Sequence, residues 1–532
     1  MSAPDLSVPT WGQAIGLYFD KRLWLIFGLG LASGFPWVMI GSAMSAWLAE
    51  EGLSRSNIGF FGFIFVAYSI NFLWSPLLDR FSVPLIGRFF GQRRSWIILM
   101  QVLIALCCWF IASVNPSLDL AYAKTIAFAL ALVSATQDIA IDAFRIDSLP
   151  ANDSRLMAAG SAMATAGWWS GFAGLGAIPL LLVDFDAWAW KDVYYLMSVL
   201  MLGLIIVPLL ASEPETERKA LQAKSGEKYR ALIAGSEQNS YTLFGVVMVL
   251  VLILLAWFMT GLPGIPNDFL SAGNTLVLGL IAVLIMFIVY TLVGIERNIH
   301  SKFPSPELQS PLSFAQKLVV WLMVSFIEPL AEFFRRNGVQ LALSVLLFIF
   351  LFKIGEAFLG RMSIVFYKEV GFSNTDIALY SKLVSWWVTI VFSLIGSLVT
   401  IRYGILKGLF VGGLAMGASN LMFALLASVG PDKLLLVSAV VVDGFTSAWS
   451  TVAFVAFLSM MCSRAFTASQ YALMASLGTL GRTLLASYSG VLVDFLEGDW
   501  SVFFVITSLM VLPSLWLLYL IRHRLRSLAA EF

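Results

Sequence analysis

The sequence has 532 residues, of which 59% are hydrophobic and only 12% charged, with a mean hydropathy of +0.87. A soluble domain carries about 25% charged residues, so this composition excludes a soluble protein and predicts a polytopic membrane protein. The net charge of +1 and the scattered basic residues give no indication of nucleic-acid binding. Three cysteines imply no disulfide framework, and the polar first 20 residues predict no cleavable signal peptide.

Apolar runs of about 20 residues, long enough to cross the hydrocarbon core, form two blocks of six. The runs are 23–48, 57–78, 95–114, 120–147, 155–183 and 192–211, then 339–366, 375–402, 405–428, 433–460, 465–494 and 499–521. Between the blocks lie a charged segment, two further apolar runs at 241–260 and 274–294, and an amphipathic stretch at 312–334. The pattern predicts an all-α membrane protein of about 14 spans.

Three parts follow from this pattern. Residues 1–212 and 339–532 are predicted to form two six-helix bundles. Residues 213–338 are predicted to form a cytoplasmic linker that carries two extra transmembrane helices and an amphipathic helix. Re-entrant or surface-lying segments are the alternative for the two extra helices.

The short loops divide into a basic and an acidic set, which predicts orientation. The basic set contains Lys21, Arg22, Arg80, Arg88, Arg93, Arg94, Arg155, Arg402, Lys407, Arg464, Arg522, Arg524 and Arg526, and the acidic set contains Glu50, Glu51, Asp184, Asp186, Asp192, Asp494, Glu497 and Asp499. Because short cytoplasmic loops are enriched in Lys and Arg, the basic set and both termini are predicted to be cytoplasmic.

The fourth run ends with ionisable residues on one helical face, since Asp138, Asp142 and Arg145 lie at i, i+4 and i+7. Each such charge costs about 2.5–3.5 kcal/mol at membrane depth on insertion scales and must face protein or water. Two interpretations stay open. The Asp142 and Arg145 pair neutralises itself and locks the helix against a neighbour, or this face lines a cavity that carries protons or substrate charge.

Two features of the chain resemble the major facilitator superfamily. Gly52–Gly59 and Gly371–Ala378 share a Gly start and a helix N-cap pattern at the same place in both blocks, which indicates two parallel six-span repeats. Trp74–Arg80 with Gly91–Arg94 resembles the loop motif in which an Asp and clustered Arg residues latch helix ends, although the leading Gly is absent and ten residues are inserted. The resemblance implies gating roles for the charged residues of this motif, Asp79, Arg80, Arg93 and Arg94.

Within the superfamily, segments spread over nearly the whole core resemble the AmpG muropeptide permeases. They include Ala32–Pro36, Asn57–Phe61, Ala135–Ile139, Glu332–Gly338 and Phe466–Leu473. The resemblance implies proton-driven import of N-acetylglucosaminyl-anhydromuramyl peptides across the bacterial inner membrane for peptidoglycan recycling. The family's Gln-Asp motif falls on Gln137 and Asp138, with Thr136 replacing the family's leading Ser or Ala.

Proton coupling in this chain must use carboxylates, because both histidines lie outside the core spans. Asp138, Asp142 and Glu356 are the candidates. Lys353, three residues before Glu356, forms either a static ion pair with it or a switch in which an anionic peptide takes the lysine and frees the glutamate. Asp443 in the tenth span is interpreted as hydrogen-bonded structure, with a proton site as the alternative.

A muropeptide offers carboxylates, sugar rings and hydroxyls, so its site needs cations, aromatic faces and amides. The predicted substrate-binding residues are Gln137, Arg145, Trp168, Trp169, Lys353, Arg361, Lys382, Trp386, Trp387, Gln470 and Arg482. Adjacent tryptophans face different directions, so at most one of each pair stacks on sugar, and packing or interface anchoring is the alternative for each. Gly30 and Gly34 indicate close helix packing, with a hinge near Pro36 as the alternative.

The sequence has no nucleotide-binding loop, metal cluster or nucleophile–histidine pair, so we expect a monomeric transporter in the lipid bilayer, without enzymatic activity, cofactor or bound metal. Protons and an anhydromuropeptide are its expected partners. One alternative is a same-fold transporter of another cargo such as a CoA-linked metabolite, because the Gln-Asp motif also resembles acetyl-CoA transporters. Another is a non-transporting receptor or scaffold, although a scaffold has no need of charges within its spans.

Overall fold

The computed structural model describes residues 8–53, 63–116, 118–183, 187–234, 317, 320–373 and 376–531, and the regular elements of these residues are helices. The chain divides into two compact units, one formed by residues 1–216 with 337–532 and the other by residues 217–336. The two extra predicted spans, 241–260 and 274–294, lie outside the described residues.

Among the described residues, the first half of the larger unit contains six helical stretches, α1 to α6. Their bounds are Lys21–Ile40 with Ser42–Glu50 for α1; Phe63–Phe65, Val66–Ile70, Asn71–Leu73 and Ser75–Arg80 for α2; Gln92–Ala112 for α3; Leu120–Ser148 for α4; Ser154–Trp169, the π-helical turn Ser170–Leu175 and Ala177–Val183 for α5; and Trp190–Gly203 with Ile206–Leu210 for α6. Short helices at Trp11–Gly16 and Leu17–Phe19 precede α1, and Ile86–Phe90 precedes α3.

The second half contains α7 to α12. Their bounds are Val339–Leu351 with Ile354–Val370 for α7, the π-helical turn Ile377–Leu383 with Val384–Tyr403 for α8, Ile405–Val429 for α9, Lys433–Met460 for α10, Thr467–Ala486 with Ser489–Phe495 for α11, and Trp500–Leu509 with Leu512–Glu531 for α12. Among the described residues, ten of these helices, all except α2 and α11, are long and apolar enough to cross a membrane. The prediction of an all-α polytopic membrane protein is confirmed.

A matching contact ties the first helix to the sixth in each half. The indole Nε1 of Trp190 donates to the carboxylate of Glu50 at 2.5 Å, and the indole Nε1 of Trp500 donates to the carboxylate of Glu369 at 2.8 Å. The two glutamates are separated in sequence by the same number of residues as the two matching glycine-initiated segments. The repeat seen in the sequence therefore has a counterpart in the packing of each half.

Helices α1 and α5 approach so closely that glycine is required at their contact. A Cβ atom at Gly34 would lie 2.0 Å from the carbonyl oxygen of Trp168, and one at Gly171 would lie 2.1 Å from the carbonyl oxygen of Leu31. In lipid, such close packing replaces the hydrophobic effect as the main attraction between helices. This packing agrees with the close-approach interpretation of Gly30 and Gly34.

Substituting Gly34→Ala is therefore expected to destabilise the first half. The methyl group meets backbone atoms of α5, which cannot rotate away, and such overpacking costs about 1–3 kcal/mol. The measurement is the midpoint temperature of thermal unfolding in detergent, and we expect this temperature to be lower for the variant than for the wild type. Gly203→Ala is the matched control, because a Cβ at Gly203 meets nothing within 4 Å. Equal midpoints for the two variants would contradict the packing described here.

In the smaller unit, a buried carboxylate joins two helical segments. Glu328 is 2% exposed and accepts hydrogen bonds from the Tyr229 hydroxyl and from Arg335, both at 2.6 Å. Tyr229 belongs to the helix Arg218–Ala234, and Glu328 begins the helix Glu328–Asn337. The latter overlaps the end of the amphipathic stretch predicted at 312–334.

Candidate functional site

The Gln-Asp motif of α4 is bound to α1. Asp138 is partly buried and accepts a hydrogen bond from the Ser33 hydroxyl at 2.6 Å, and the Gln137 amide donates to the carbonyl of Ala32 at 2.8 Å. The amide oxygen of Gln137 is buried and has no partner among the described residues. One carboxylate is thus held at the α1–α4 contact beside an unsatisfied acceptor.

An aromatic cluster follows one helical turn beyond Ser33. The ring of Trp37 lies 4.5 Å from that of Tyr68 and 5.6 Å from that of Trp168, and Trp168 stacks on Phe172 at 5.2 Å. Trp168 and Trp169 were predicted as site residues from the sequence, whereas Trp37 was not. Its spacing of four residues from Ser33 was the available signal, since i and i+4 share one helical face.

Arg145 bridges the two halves of the larger unit. Its guanidinium is fully buried and donates to Asp142 on the same helix at 3.0 Å, to Ser161 on α5 at 3.2 Å and to Ser459 on α10 at 2.9 Å. It also lies over the ring of Tyr471 on α11 at 5.4 Å. The self-neutralising pair is therefore present, and it locks α4 against both halves. In this conformation the Arg145 side chain is enclosed by protein.

Two charged residues of the loop motif, Asp79 and Arg93, form a buried polar cluster on the side of the molecule that carries the basic loops. Arg93, which is fully buried, pairs with Asp79 at 2.8 Å and with Asp147 at 2.9 Å. Asp79 also accepts from the backbone N–H groups of Ala468 at 3.2 Å and Ser469 at 2.8 Å, in the first turn of α11. These N–H groups have no partner within their own helix and carry partial positive charge, so they attract a carboxylate.

Two further residues of the second half also contact the first half at this place. The Thr467 hydroxyl donates to Asp147 at 2.8 Å, and the Arg464 guanidinium donates to the carbonyls of Ile146 and Leu149 at the end of α4. We call Asp79, Arg93, Asp147, Arg464 and the first turn of α11 the basic-side gate. Asp79 and Arg93 were predicted from the loop motif, whereas the contacts of Asp147, Arg464 and Thr467 were not predicted.

The other two predicted gating residues lie at different places. Arg94 donates to the carbonyls of Pro208 at 2.7 Å and Leu209 at 3.0 Å, so it satisfies the end of α6 within the first half. Arg80 is partly buried at the end of α2.

In the second half, a cation and a carboxylate meet at a break in α7. Lys353 lies between the two helical segments of α7, and its Nζ contacts the Glu356 carboxylate at 2.5 Å, the Ser450 hydroxyl at 2.8 Å and the Thr451 hydroxyl at 2.9 Å. The Ser447 hydroxyl donates to the other oxygen of Glu356 at 2.6 Å. Glu356 falls in the first turn after the break, where a negative charge is stabilised by the helix dipole.

Asp443 extends this polar group along α10, one helical turn before Ser447. It accepts from the Ser419 hydroxyl of α9 at 2.9 Å, which agrees with the interpretation as hydrogen-bonded structure. The alternative of a proton site stays a prediction.

The remaining predicted substrate residues differ in accessibility. Arg361, Trp387 and Arg482 are exposed. Trp386 is partly buried, with its ring 4.8 Å from that of Trp387. Cations and an aromatic face are thus available to solute or lipid in the second half.

Gln470 gives less support to the substrate prediction, and the prediction for Lys382 stays untested. Gln470 is 2% exposed, and its amide oxygen accepts from the backbone N–H of Ser463 at 2.7 Å, so it stabilises the turn before α11 beside the basic-side gate. The side chain of Lys382 lies outside the described residues.

Comparison with known proteins relates the whole chain to transporters. The chain is 26% identical over 502 residues to "Putative transporter AmpG 4" of Rickettsia conorii, covering 94% of this chain and 97% of that protein. It is 27% identical over 515 residues to the anhydromuropeptide permease of Escherichia coli strain K12, covering 96% of this chain and 82% of that protein. A family model described as acetyl-coenzyme A transporter 1 matches residues 22–173.

Two solved structures decide the fold. The proton:xylose symporter XylE bound to 6-bromo-6-deoxy-D-glucose matches with a TM-score of 0.56 at 13% identity, covering 94% of this chain and 95% of that one. A double-tryptophan XylE variant matches with the same TM-score at 14% identity. The protein has the major facilitator fold, and its sequence is similar to the AmpG transporters over nearly its whole length. The fold and the family resemblance expected from the sequence are confirmed.

Proposed function

We propose that this AmpG relative imports N-acetylglucosaminyl-anhydromuramyl peptides together with protons, by alternating access. Similarity to an anhydromuropeptide permease over 96% of the chain is the observation that carries the proposal. Partly buried carboxylates within the spans, Asp138 and Glu356, support proton coupling, because such groups are retained in membranes mainly for function.

The proposed location is the bacterial inner membrane, with the basic loops and both termini in the cytoplasm. With this orientation, the basic-side gate is the cytoplasmic gate, and its contacts between the halves represent a state closed to the cytoplasm. Cargo would then enter from the periplasmic side. The three-part organisation with boundaries at 212 and 338 is part of the same proposal.

We assign proton coupling to Asp138, Asp142 and Glu356. Arg361, Arg482 and Trp387 are exposed and suit the peptide carboxylates and sugar rings of the cargo. For Lys353, the switch hypothesis is supported by its contact with Glu356, because an anionic cargo that draws the lysine away would leave the glutamate free to take a proton. Gating is assigned to Asp79 and Arg93.

A CoA-linked cargo is the second candidate function. The match of residues 22–173 to the acetyl-coenzyme A transporter model favours it, since this range contains the Gln-Asp motif of α4. Exposed arginines in the second half suit phosphates as well as carboxylates.

Uptake into proteoliposomes tests both candidates. We expect labelled N-acetylglucosaminyl-anhydromuramyl tripeptide to accumulate when an inward proton gradient is imposed and to equilibrate without accumulation when the gradient is absent. Labelled acetyl-CoA is assayed in parallel with the same vesicles. Uptake of acetyl-CoA with no uptake of the tripeptide would replace the first proposal by the second, and uptake of tripeptide that ignores the gradient would remove proton coupling.

A further inference from the structure

The segment before α1 connects the two halves of the protein on the basic side. Residues 8–20 contain the helix Trp11–Gly16, which starts with a capping box between Thr10 and Gln13, and the helical turn Leu17–Phe19. Asp20 then caps α1 through the backbone N–H of Arg22 at 2.9 Å. We call residues 8–20 the strap. Its covalent attachment is to the first half only.

The strap nevertheless binds the second half, at the basic end of α8. The Tyr18 hydroxyl is hydrogen-bonded to the Ser397 hydroxyl, and the Arg402 guanidinium lies 4.7 Å from the centre of the Trp11 ring. The same ring contacts Tyr403 edge-on at 6.4 Å. A cation over an indole is the most favourable cation–π geometry.

Three apolar side chains of the strap are exposed. They are Val8, Ile15 and Phe19, and Phe19 is 83% exposed. The basic residues Lys21 and Arg22 follow directly, where a membrane helix begins. Apolar side chains next to basic ones, at the end of a membrane helix, suit the boundary between the lipid headgroups and the acyl chains. We therefore infer that the lipid bilayer covers this apolar surface of the strap.

We propose that the strap lies in the membrane interface and clasps α8, so that it stabilises the conformation in which the basic side is closed. Only two residues separate Tyr18 from the start of α1, so the strap cannot follow α8 if the basic ends of the two halves move apart. Opening therefore requires the contacts of Tyr18 with Ser397 and of Trp11 with Arg402 to break. The proposal concerns the conformational equilibrium and holds for any cargo.

The test measures the opening of the basic side by spin-label distances in proteoliposomes. The labels are placed at Asn152→Cys in the loop after α4 and at Lys407→Cys near the start of α9, with the three native cysteines replaced. In Trp11→Ala/Tyr18→Phe, we expect the ratio of long-distance to short-distance populations to rise by about fivefold or more, from loss of one hydrogen bond and one cation–π contact. Phe89→Ala is the matched control, since it removes an aromatic residue that is 82% exposed on the basic side but outside the strap, and it should leave the ratio unchanged.

Identical distance distributions in the double variant and its parent would overturn the clasp, provided that both unfold at the same temperature. If the double variant does not fold, Tyr18→Phe alone decides, because it removes one hydroxyl and keeps the ring. A single spin label at Phe19→Cys tests the lipid contact. We expect this label to collide more often with oxygen, which partitions into lipid, than with a water-soluble nickel chelate. The reverse order would show that Phe19 faces water and not the membrane interface.

Discussion

Asp79→Asn is expected to abolish most uptake by opening the basic-side gate. Asp79 is 2% exposed and neutralises Arg93 while it accepts from two backbone N–H groups of α11. An amide cannot supply the charge, and breaking a buried ion pair costs about 3–5 kcal/mol. Asp79 and Arg93 both belong to the first half, so the part of the loss that falls on the closed conformation alone is that of the two hydrogen bonds from α11, which exist only when the halves meet on this side. We expect at least about a tenfold decrease in uptake, since 1.4 kcal/mol already corresponds to tenfold in an equilibrium.

Asp153→Asn is the control for this prediction. Asp153 caps α5 by accepting from the backbone N–H groups of Arg155 and Leu156, both at 3.0 Å, on the same side of the membrane but within one half. Asn caps helices as well as Asp does, so this variant should transport normally. Both variants must first elute from a size-exclusion column as single folded species. If their uptake is then equal, the Asp79 contacts do not hold the gate.

Glu356→Gln is expected to uncouple cargo movement from the proton gradient. Glutamine keeps the size of the side chain and can still accept from Ser447, but it cannot bind and release a proton. It also leaves the Lys353 ammonium without its counter-charge, which lies 2.5 Å away in the wild type. We expect no accumulation above the external concentration under an inward proton gradient, whereas exchange of internal for external labelled cargo continues.

Ser447→Ala separates the role of the carboxylate from that of its surroundings. This variant removes one hydrogen bond of 2.6 Å to Glu356 and keeps both the carboxylate and its contact with Lys353. A hydrogen bond to a charged group contributes about 1.5–3 kcal/mol, but the carboxylate that would bind the proton remains, so accumulation should fall without being lost. Accumulation by Glu356→Gln at the wild-type level would remove Glu356 from proton coupling and favour a static ion pair.

The membrane helices were predictable from the sequence because span length and apolarity are local properties. The pairs Asp142 with Arg145 and Lys353 with Glu356 were also predictable, since residues three apart on one helix are neighbours in any fold that keeps the helix. The break in α7 at Lys353 was not predicted, although Gly355 follows it by two residues.

Contacts between distant helices depended on the tertiary structure. Asp147 meets Thr467, which is 320 residues away, and Tyr18 meets Ser397, which is 379 residues away. A polar side chain at membrane depth must find a partner, because an unsatisfied group in lipid costs several kcal/mol, but the sequence does not say which of many polar residues it meets. That choice is made by how the helices of the two halves pack, and in lipid this packing depends on close steric fit rather than on any local pattern.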